Sequence, residues 1–155
     1  MEETELEYDD EVWRAISLLL SRQWFHRLRV VQEITLASSN AVLCSGMREV
    51  RWVHFRRGLE CLYDKKELPT MALRGLVLSA HKLGMASDSL QALGPLIRLH
   101  RTRLCSDNRD KVYGLLGLAA SLSPRLASTI VPDYSTDVTN VYKQTFLSHI
   151  RHVRR

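Results

Sequence analysis

Ser106-Asp107-Asn108-Arg109-Asp110-Lys111-Val112-Tyr113-Gly114-Leu115-Leu116-Gly117-Leu118-Ala119 is the stretch on which the reading of the fold turns. Val112, Leu115, Leu116 and Ala119 recur at helical spacing and form one buried stripe. Asp107 stands where a carboxylate accepts from the free N–H groups of a helix start. Asp110, three residues on, is placed to reach back as in a capping box. Gly114 and Gly117 admit the close approach of a neighbouring backbone. Arg109 and Lys111 remain for ion pairs or an anionic ligand. The spacing favours a rigid helix start pinned by ion pairs over a polar site built from Asp107, Arg109 and Asp110.

Outward from this stretch the helical period dominates. Asp9 or Asp10 caps a first helix carrying Val12, Trp13, Ile16, Leu19 and Leu20. A second helical pattern runs from Trp24 to Ala37, with Trp24, Leu28, Val31 and Thr35 on one side and Arg29 and Glu33 on the other. Ala41–Cys44 reads as a short strand, Ser45-Gly46 as a turn, and Met47–Val50 as the returning strand. Trp52, Phe55, Leu59 and Leu62 restore the helical period. Pro69 suits the first turn of a helix carrying Leu73, Leu76, Val77 and Ala80, which Gly84 ends. Ser87 and Asp88 are cap candidates for a helix holding Leu90, Leu93, Ile97 and Leu104, which Gly94-Pro95 bends or breaks. Residues 121–128 read as a loop and Thr129-Ile130-Val131 as an extended piece held by Pro132. A last helix starts near Asp137, with Val138, Val141, Tyr142, Thr145, Phe146 and Ile150 on its stripe. The expected fold is mainly α with a small β-hairpin.

The 155 residues make one ordinary domain, and at 45% hydrophobic and 25% charged the chain can build a core. No apolar run is long enough to span a bilayer, and the acidic N-terminus is no signal peptide. The expectation is an intracellular, cytoplasmic protein. Cys44, Cys61 and Cys105 form no CxxC pair, so they read as three buried free thiols rather than a disulfide or zinc framework. Residues 1–11 form an acidic tail with seven acids and no base, leaving 22 bases against the other 10 of the 17 acids. Such a body attracts phosphate-rich partners. The bases are scattered, however, without the clustered face and interleaved aromatics of a nucleic-acid module, so a solvated surface is the preferred reading.

Four blocks of this sequence resemble one family. Asp107-Asn108-Arg109-Asp110-Lys111-Val112-Tyr113-Gly114-Leu115-Leu116-Gly117-Leu118 is similar to the Asp-Pro-Arg-Asp-Lys-Val-Tyr-Ala-Leu-Leu-Gly signature of fungal heterokaryon incompatibility (HET) domains. Ile130-Val131-Pro132-Asp133-Tyr134-Ser135 resembles the segment that follows it there. Arg22-Gln23-Trp24-Phe25-His26-Arg27 with Val30-Val31-Gln32-Glu33 resembles the family's Arg-Pro-Trp-Phe-x-Arg-x-Trp-Val-x-Gln-Glu. Cys44 to Phe55 resembles its Cys-Gly…Trp…Phe stretch. The blocks stand in family order over roughly residues 12–145. Asn108 replaces a Pro, Arg29 replaces a Trp, and Ser45 splits the Cys-Gly pair. Nothing in residues 1–11 resembles the family's Leu-Ser-Tyr-x-Trp-Gly or Trp-Ile-Asp-Ala-x-Cys-Ile-Asn-Gln segments. The resemblance therefore implies the C-terminal part of a HET-like α/β domain over residues 12–155, a truncated copy.

What the resemblance implies is a part in fungal non-self recognition and programmed cell death. The chain would serve as an interaction or regulatory module whose partner is a protein, or the missing N-terminal half. The family's first half is similar to Toll/interleukin-receptor (TIR) domains, some of which cleave NAD with a helical glutamate. Carried over, Glu33 is the candidate catalytic acid, and Arg29 takes the Trp position. No cofactor is implied for the chain alone, and NAD enters only if the complete domain is an enzyme. By spacing, Glu33 pairs with Arg29 four residues earlier, which is worth about 0.3–0.5 kcal/mol. The enzymatic reading needs a pocket beside Glu33. Among the remaining residues, His149 and His152 lack a third ligand nearby, and no Gly-rich phosphate loop occurs. Trp13, Trp24, Trp52 and Phe55 lie at core-facing spacings.

Overall fold

A computed structural model describes residues 9–37, 40–85, 92–119 and 128–153. The elements with both ends among the described residues are seven α-helices and a two-stranded hairpin that packs on α3: α1 Asp10–Leu20, α2 Arg29–Thr35, β1 Val42–Ser45, β2 Arg48–Arg51, α3 Trp52–Asp64, α4 Met71–Gly84, α5 Leu93–His100, α6 Asp110–Ala119 and α7 Val138–Val153. A 3-10 turn, Gln23–His26, precedes α2. The mainly helical reading with one hairpin holds.

Asp9 caps α1 by accepting from the Val12 N–H at 2.9 Å, so Asp10 and Glu11 lie in its first turn. The hairpin register runs from Val42↔Arg51 to Ser45↔Arg48. Its two-residue loop has positive φ only at Gly46 (62°), the backbone of a type II′ turn, which needs glycine first. Thr70 caps α4 by accepting from Leu73 N–H at 3.1 Å. α4 packs on α1, α2, α3 and the 3-10 turn, while α6 packs on α5, α2 and α7. Leu20, Phe25, Val31, Val77, Leu83 and Leu115 lie in the shared core, with Trp13, Trp24, Trp52 and Phe55 packed against it. Gly84 is buried, and a Cβ there would meet Arg56 Cγ at 3.2 Å, a contact that the Arg56 side chain would have to shift to accept where α3 and α4 pack.

Several expectations are corrected. The 24–37 helix is two pieces. Arg27 is extended, because Leu28 N–H donates to the Leu104 carbonyl (2.8 Å) and Leu104 N–H to the His26 carbonyl (2.7 Å). A backbone bridge to a distant segment outcompetes helical continuation there. Pro69 precedes the Thr70 cap instead of entering the first turn. Gly94-Pro95 lies in the first turn of α5, which begins at Leu93, where the missing proline N–H falls among the donors left unpaired anyway; the part of the expected helix before Ala92 lies outside the described residues. Leu104 lies beyond α5, held by the bridge. Thr129 is helical, and the non-helical piece starts at Ile130. Gly117 faces open space; only Gly114 meets a neighbour, Leu28, in ordinary contact. Cys44 and Cys61 are exposed and Cys105 half-buried, so the thiols are not a buried set. The cap candidates Ser87 and Asp88, Leu90 and most of the 121–128 loop lie outside the described residues.

Candidate functional site

The start of α6 is a polar knot. Arg109 grips Asp107 with Nε at 3.0 and 3.1 Å and Nη2 at 2.7 Å, and its own N–H donates to Asp107 Oδ1 at 2.9 Å. Its Nη1 donates to the carbonyls of Tyr134 and Thr136, the latter at 3.0 Å. The Tyr134 phenol donates to Asp110 Oδ1 at 2.6 Å, and the Tyr113 phenol to the Asp133 carbonyl at 3.1 Å. The two tyrosine rings meet edge to face at 5.3 Å, and the Arg109 guanidinium lies over the Tyr134 ring. Asp133 accepts from Ser135 and Thr136 hydroxyls, both at 2.6 Å, and from Ser135 N–H at 2.8 Å. Pro132 is exposed beside it.

These bonds set the local chemistry. Hydrogen bonds from Ser135 and Thr136 hold the Asp133 carboxyl down at about 2. The hydrogen bond to Asp110 pushes the Tyr134 phenol up to about 12, so it stays a donor. Hydrogen bonds from Arg109 lower Asp107. The expected capping box gives way to this arrangement: Asp107 is spent on Arg109, and the Asp110 carboxylate accepts from Tyr134. Lys111 reaches outward to the Arg101 carbonyl at 2.9 Å. The Asp107–Lys111 run is therefore a structural fastener that ties residues 133–136 to α6.

α2 stands between two clefts and lends residues to both. The first, about 440 Å³, is bordered by Arg22, Trp24, Glu33, Ile34, Trp52 and β1. Trp24 packs edge-on against Phe25 (5.0 Å) and Trp52 (6.5 Å), and Phe25 stacks on Phe55 (5.7 Å). Arg22 Nη1 donates to Ser45 Oγ at 2.7 Å. Glu33 lies at this cleft, and its carboxylate accepts from Arg29 Nε at 3.0 Å, with side chains 44% and 74% exposed respectively. The second cleft, about 670 Å³, brings Arg27, Arg29, Gln32, Cys105, Asp110 and Tyr134 together. Arg27 Nη2 donates to Gln23 Oε1 at 3.4 Å, and the Gln32 amide donates to the Gly114 carbonyl. Burial raises the Cys105 thiol. The site residues chosen from sequence thus fall into one fastener and two clefts. Among the described residues, no three His, Cys, Asp or Glu side chains are placed to hold a metal.

Sequence reasoning missed a second polar centre, at the end of α5. Arg103, 5% exposed, donates to the carbonyls of Phe25 and Ser79 (the latter at 2.8 Å) and to His100 Nδ1 at 3.4 Å. His100 is 1% exposed, and its Nε2 is buried without a partner. Burial first, then the charges of Arg103 and Lys82, lowers His100 to about 4. Burial lowers Arg103 to about 10. No local motif marks either residue, because their partners lie on other elements.

No family model, curated protein or solved structure matches this chain. No described helix is long and apolar enough to cross a membrane.

Proposed function

We propose that the chain is a protein-interaction or regulatory module of a fungal heterokaryon incompatibility system, resembling the C-terminal portion of a HET domain. The observation that carries this reading is the interlock of the blocks that bear the resemblance. The Arg22–Glu33 segment joins α6 through Gln32 and Gly114. The 130–135 segment joins it through Tyr113, Tyr134 and Arg109. Residues used up in holding segments together serve a scaffold and leave little for turnover. Exposed apolar side chains beside the first cleft, Leu36 (76%) and Val42 (46%), add surface that a partner would cover. The partner is a protein, of the kind that carries the family's N-terminal half. The test mixes this chain with a polypeptide bearing that half's Leu-Ser-Tyr-x-Trp-Gly and Trp-Ile-Asp-Ala segments. A one-to-one complex by light scattering is the expected result. No complex at concentrations on the order of 0.1 mM overturns the reading.

A second reading, NAD cleavage, is favoured by one observation: Glu33 borders a cleft with Trp24 and Trp52, aromatic side chains of the kind that pack against a nicotinamide ring. In that reading Glu33 orients the ribose hydroxyls or stabilises the oxocarbenium-like centre. Its bond to Arg29 must then open to free the carboxylate. NAD loss by the complex that Glu33→Gln abolishes is the expected sign, and equal loss in both proteins removes Glu33 from the chemistry.

A further inference from the structure

One edge of the hairpin backbone is left over. Trp52 N–H donates to the Ala41 carbonyl at 2.8 Å, which sets the phase of the ladder. In an antiparallel pair, residues that exchange hydrogen bonds alternate with residues that turn theirs outward. Leu43 and Ser45 therefore bond across to β2, and Val42 and Cys44 direct N–H and C=O away from it. Among the described residues neither makes a backbone hydrogen bond outside the hairpin. Five consecutive residues, 41–45, border the first cleft. Strand side chains alternate between faces, so a cleft that touches every residue runs along the strand's edge. Its other boundary includes Ile34 of α2 and the Trp24 and Trp52 rings. At about 440 Å³ it admits a few residues of extended chain.

The charges around it are mixed, with the cations in excess: Arg22, Arg48 and Arg51 stand against Glu49 on β2 and Glu33 on α2. Arg22 borders the cleft, and Arg48 and Arg51 are exposed on β2. Among the described residues none of the three is in an ion pair. Arg22 and Arg51 instead donate to neutral oxygens, Ser45 Oγ at 2.7 Å and Asn40 Oδ1 at 3.1 Å. The carboxylate at the cleft, Glu33, already has Arg29.

We infer that β1 receives an extended segment of a protein partner as a third strand, its apolar side chains on Trp24 and Trp52 and its acidic ones toward Arg22 at the cleft and Arg51 on β2. Main-chain bonds to Val42 and Cys44 supply the affinity, and the aromatic cleft with its basic border supplies the selection. This names the mode of binding for the interaction reading above and rests on it.

The test titrates the full ¹⁵N-labelled chain with the peptide acetyl-Glu-Val-Glu-Leu-Glu-Val-Glu-amide. The expected result is that the Val42 and Cys44 amides shift and become protected from exchange, and that a peptide with Lys for each Glu binds about fivefold more weakly or worse. Cys44→Pro deletes one outward N–H and leaves the Leu43 and Ser45 bonds in place. It is expected to weaken binding at least about tenfold while the Gly46 and Val50 resonances report an intact hairpin. If that variant loses its hairpin, the Arg22→Ala/Arg51→Ala chain decides instead, and it should lose the preference for the acidic peptide. Binding that leaves the Val42 and Cys44 amides unmoved, or that survives Cys44→Pro unchanged, overturns the inference. A chain lacking residues 1–8 that binds the peptide more than about tenfold tighter than the full chain also overturns it, because its own acidic segment would then hold the edge. A half-domain complex unaffected by Cys44→Pro sinks the edge pairing alone. Peptide binding at the edge with no half-domain complex sinks the HET reading alone.

Discussion

Arg103 and Arg109 do the same job in opposite settings. Each ties together segments that the chain keeps apart. Arg109 works at a half-exposed surface, with a carboxylate two residues away and the carbonyls of Tyr134 and Thr136 as its distant partners. Arg103 works in the core with no ion-pair partner among the described residues, holding carbonyls from positions 25 and 79 and a neutral imidazole. A guanidinium facing water loses little when its bonds break, since water replaces them. A buried one leaves its acceptors bare. The difference teaches that the arginine in the conspicuous motif need not be the one on which stability leans more heavily; burial points to Arg103.

That comparison can be pressed from its strongest consequence down. Arg103→Met keeps the apolar stem and strips the donors from the Phe25 and Ser79 carbonyls. We expect a loss of about 3–5 kcal/mol in denaturant unfolding; a loss under about 1 kcal/mol would place the two arginines on a par. Next is the acid response of His100. Its folded value near 4 lies below the ordinary 6.5. The unfolded chain therefore binds the proton first, and stability is full above pH 6.5 and falls as the pH drops toward 4. The expected loss is on the order of 2 kcal/mol, read from unfolding midpoints across that window. His100→Asn should flatten that part of the profile, and an unchanged slope would remove His100 as its source.

Arg109→Ala should act locally. Amide exchange over residues 130–136 should quicken while the slowest core amides of α4 and α6 stay near their original rates. Uniform acceleration across the chain would mean that the surface fastener carries global stability after all. Smallest is Arg29→Ala, which breaks an exposed i,i+4 pair. Screening by solvent limits the expected change to about 0.5 kcal/mol or less in thermal unfolding. A larger loss would show Glu33 depending on Arg29 for more than surface pairing.

What the sequence makes legible follows the reach of each interaction. The stripe Val112, Leu115, Leu116 and Ala119 is periodic, and all four are buried. The hairpin is announced by Gly46, and Arg29 with Glu33 by four-residue spacing. At the start of α6 only ion-pair pinning is legible: the capping box expected of Asp107 and Asp110 gives way to Arg109 on Asp107 and to the distant Tyr134 on Asp110. The extended kink at Arg27 is not legible, because Leu104, seventy-seven positions on, imposes it. Arg103 and His100 are invisible for that reason too. The clefts were half legible: their residues stood in the quoted blocks, but which side of α2 each residue takes needed the packing of α6 on α2. Glu33 and Gln32 are adjacent in sequence and face different clefts.

The bond from the Gln32 amide to the Gly114 carbonyl bears on the order of events during synthesis. α2 has seven residues, too few for a helix to persist alone in water. Its support comes from the packing of α4, from Leu104 through the backbone bridge and from Gly114. As the polypeptide leaves the ribosome, α4 follows α2 within some fifty residues, but the Gly114 bond waits for some eighty. Until α6 has emerged, Val30, Val31 and Ile34 lack part of their cover, which leaves this short helix a place for a chaperone to act during synthesis.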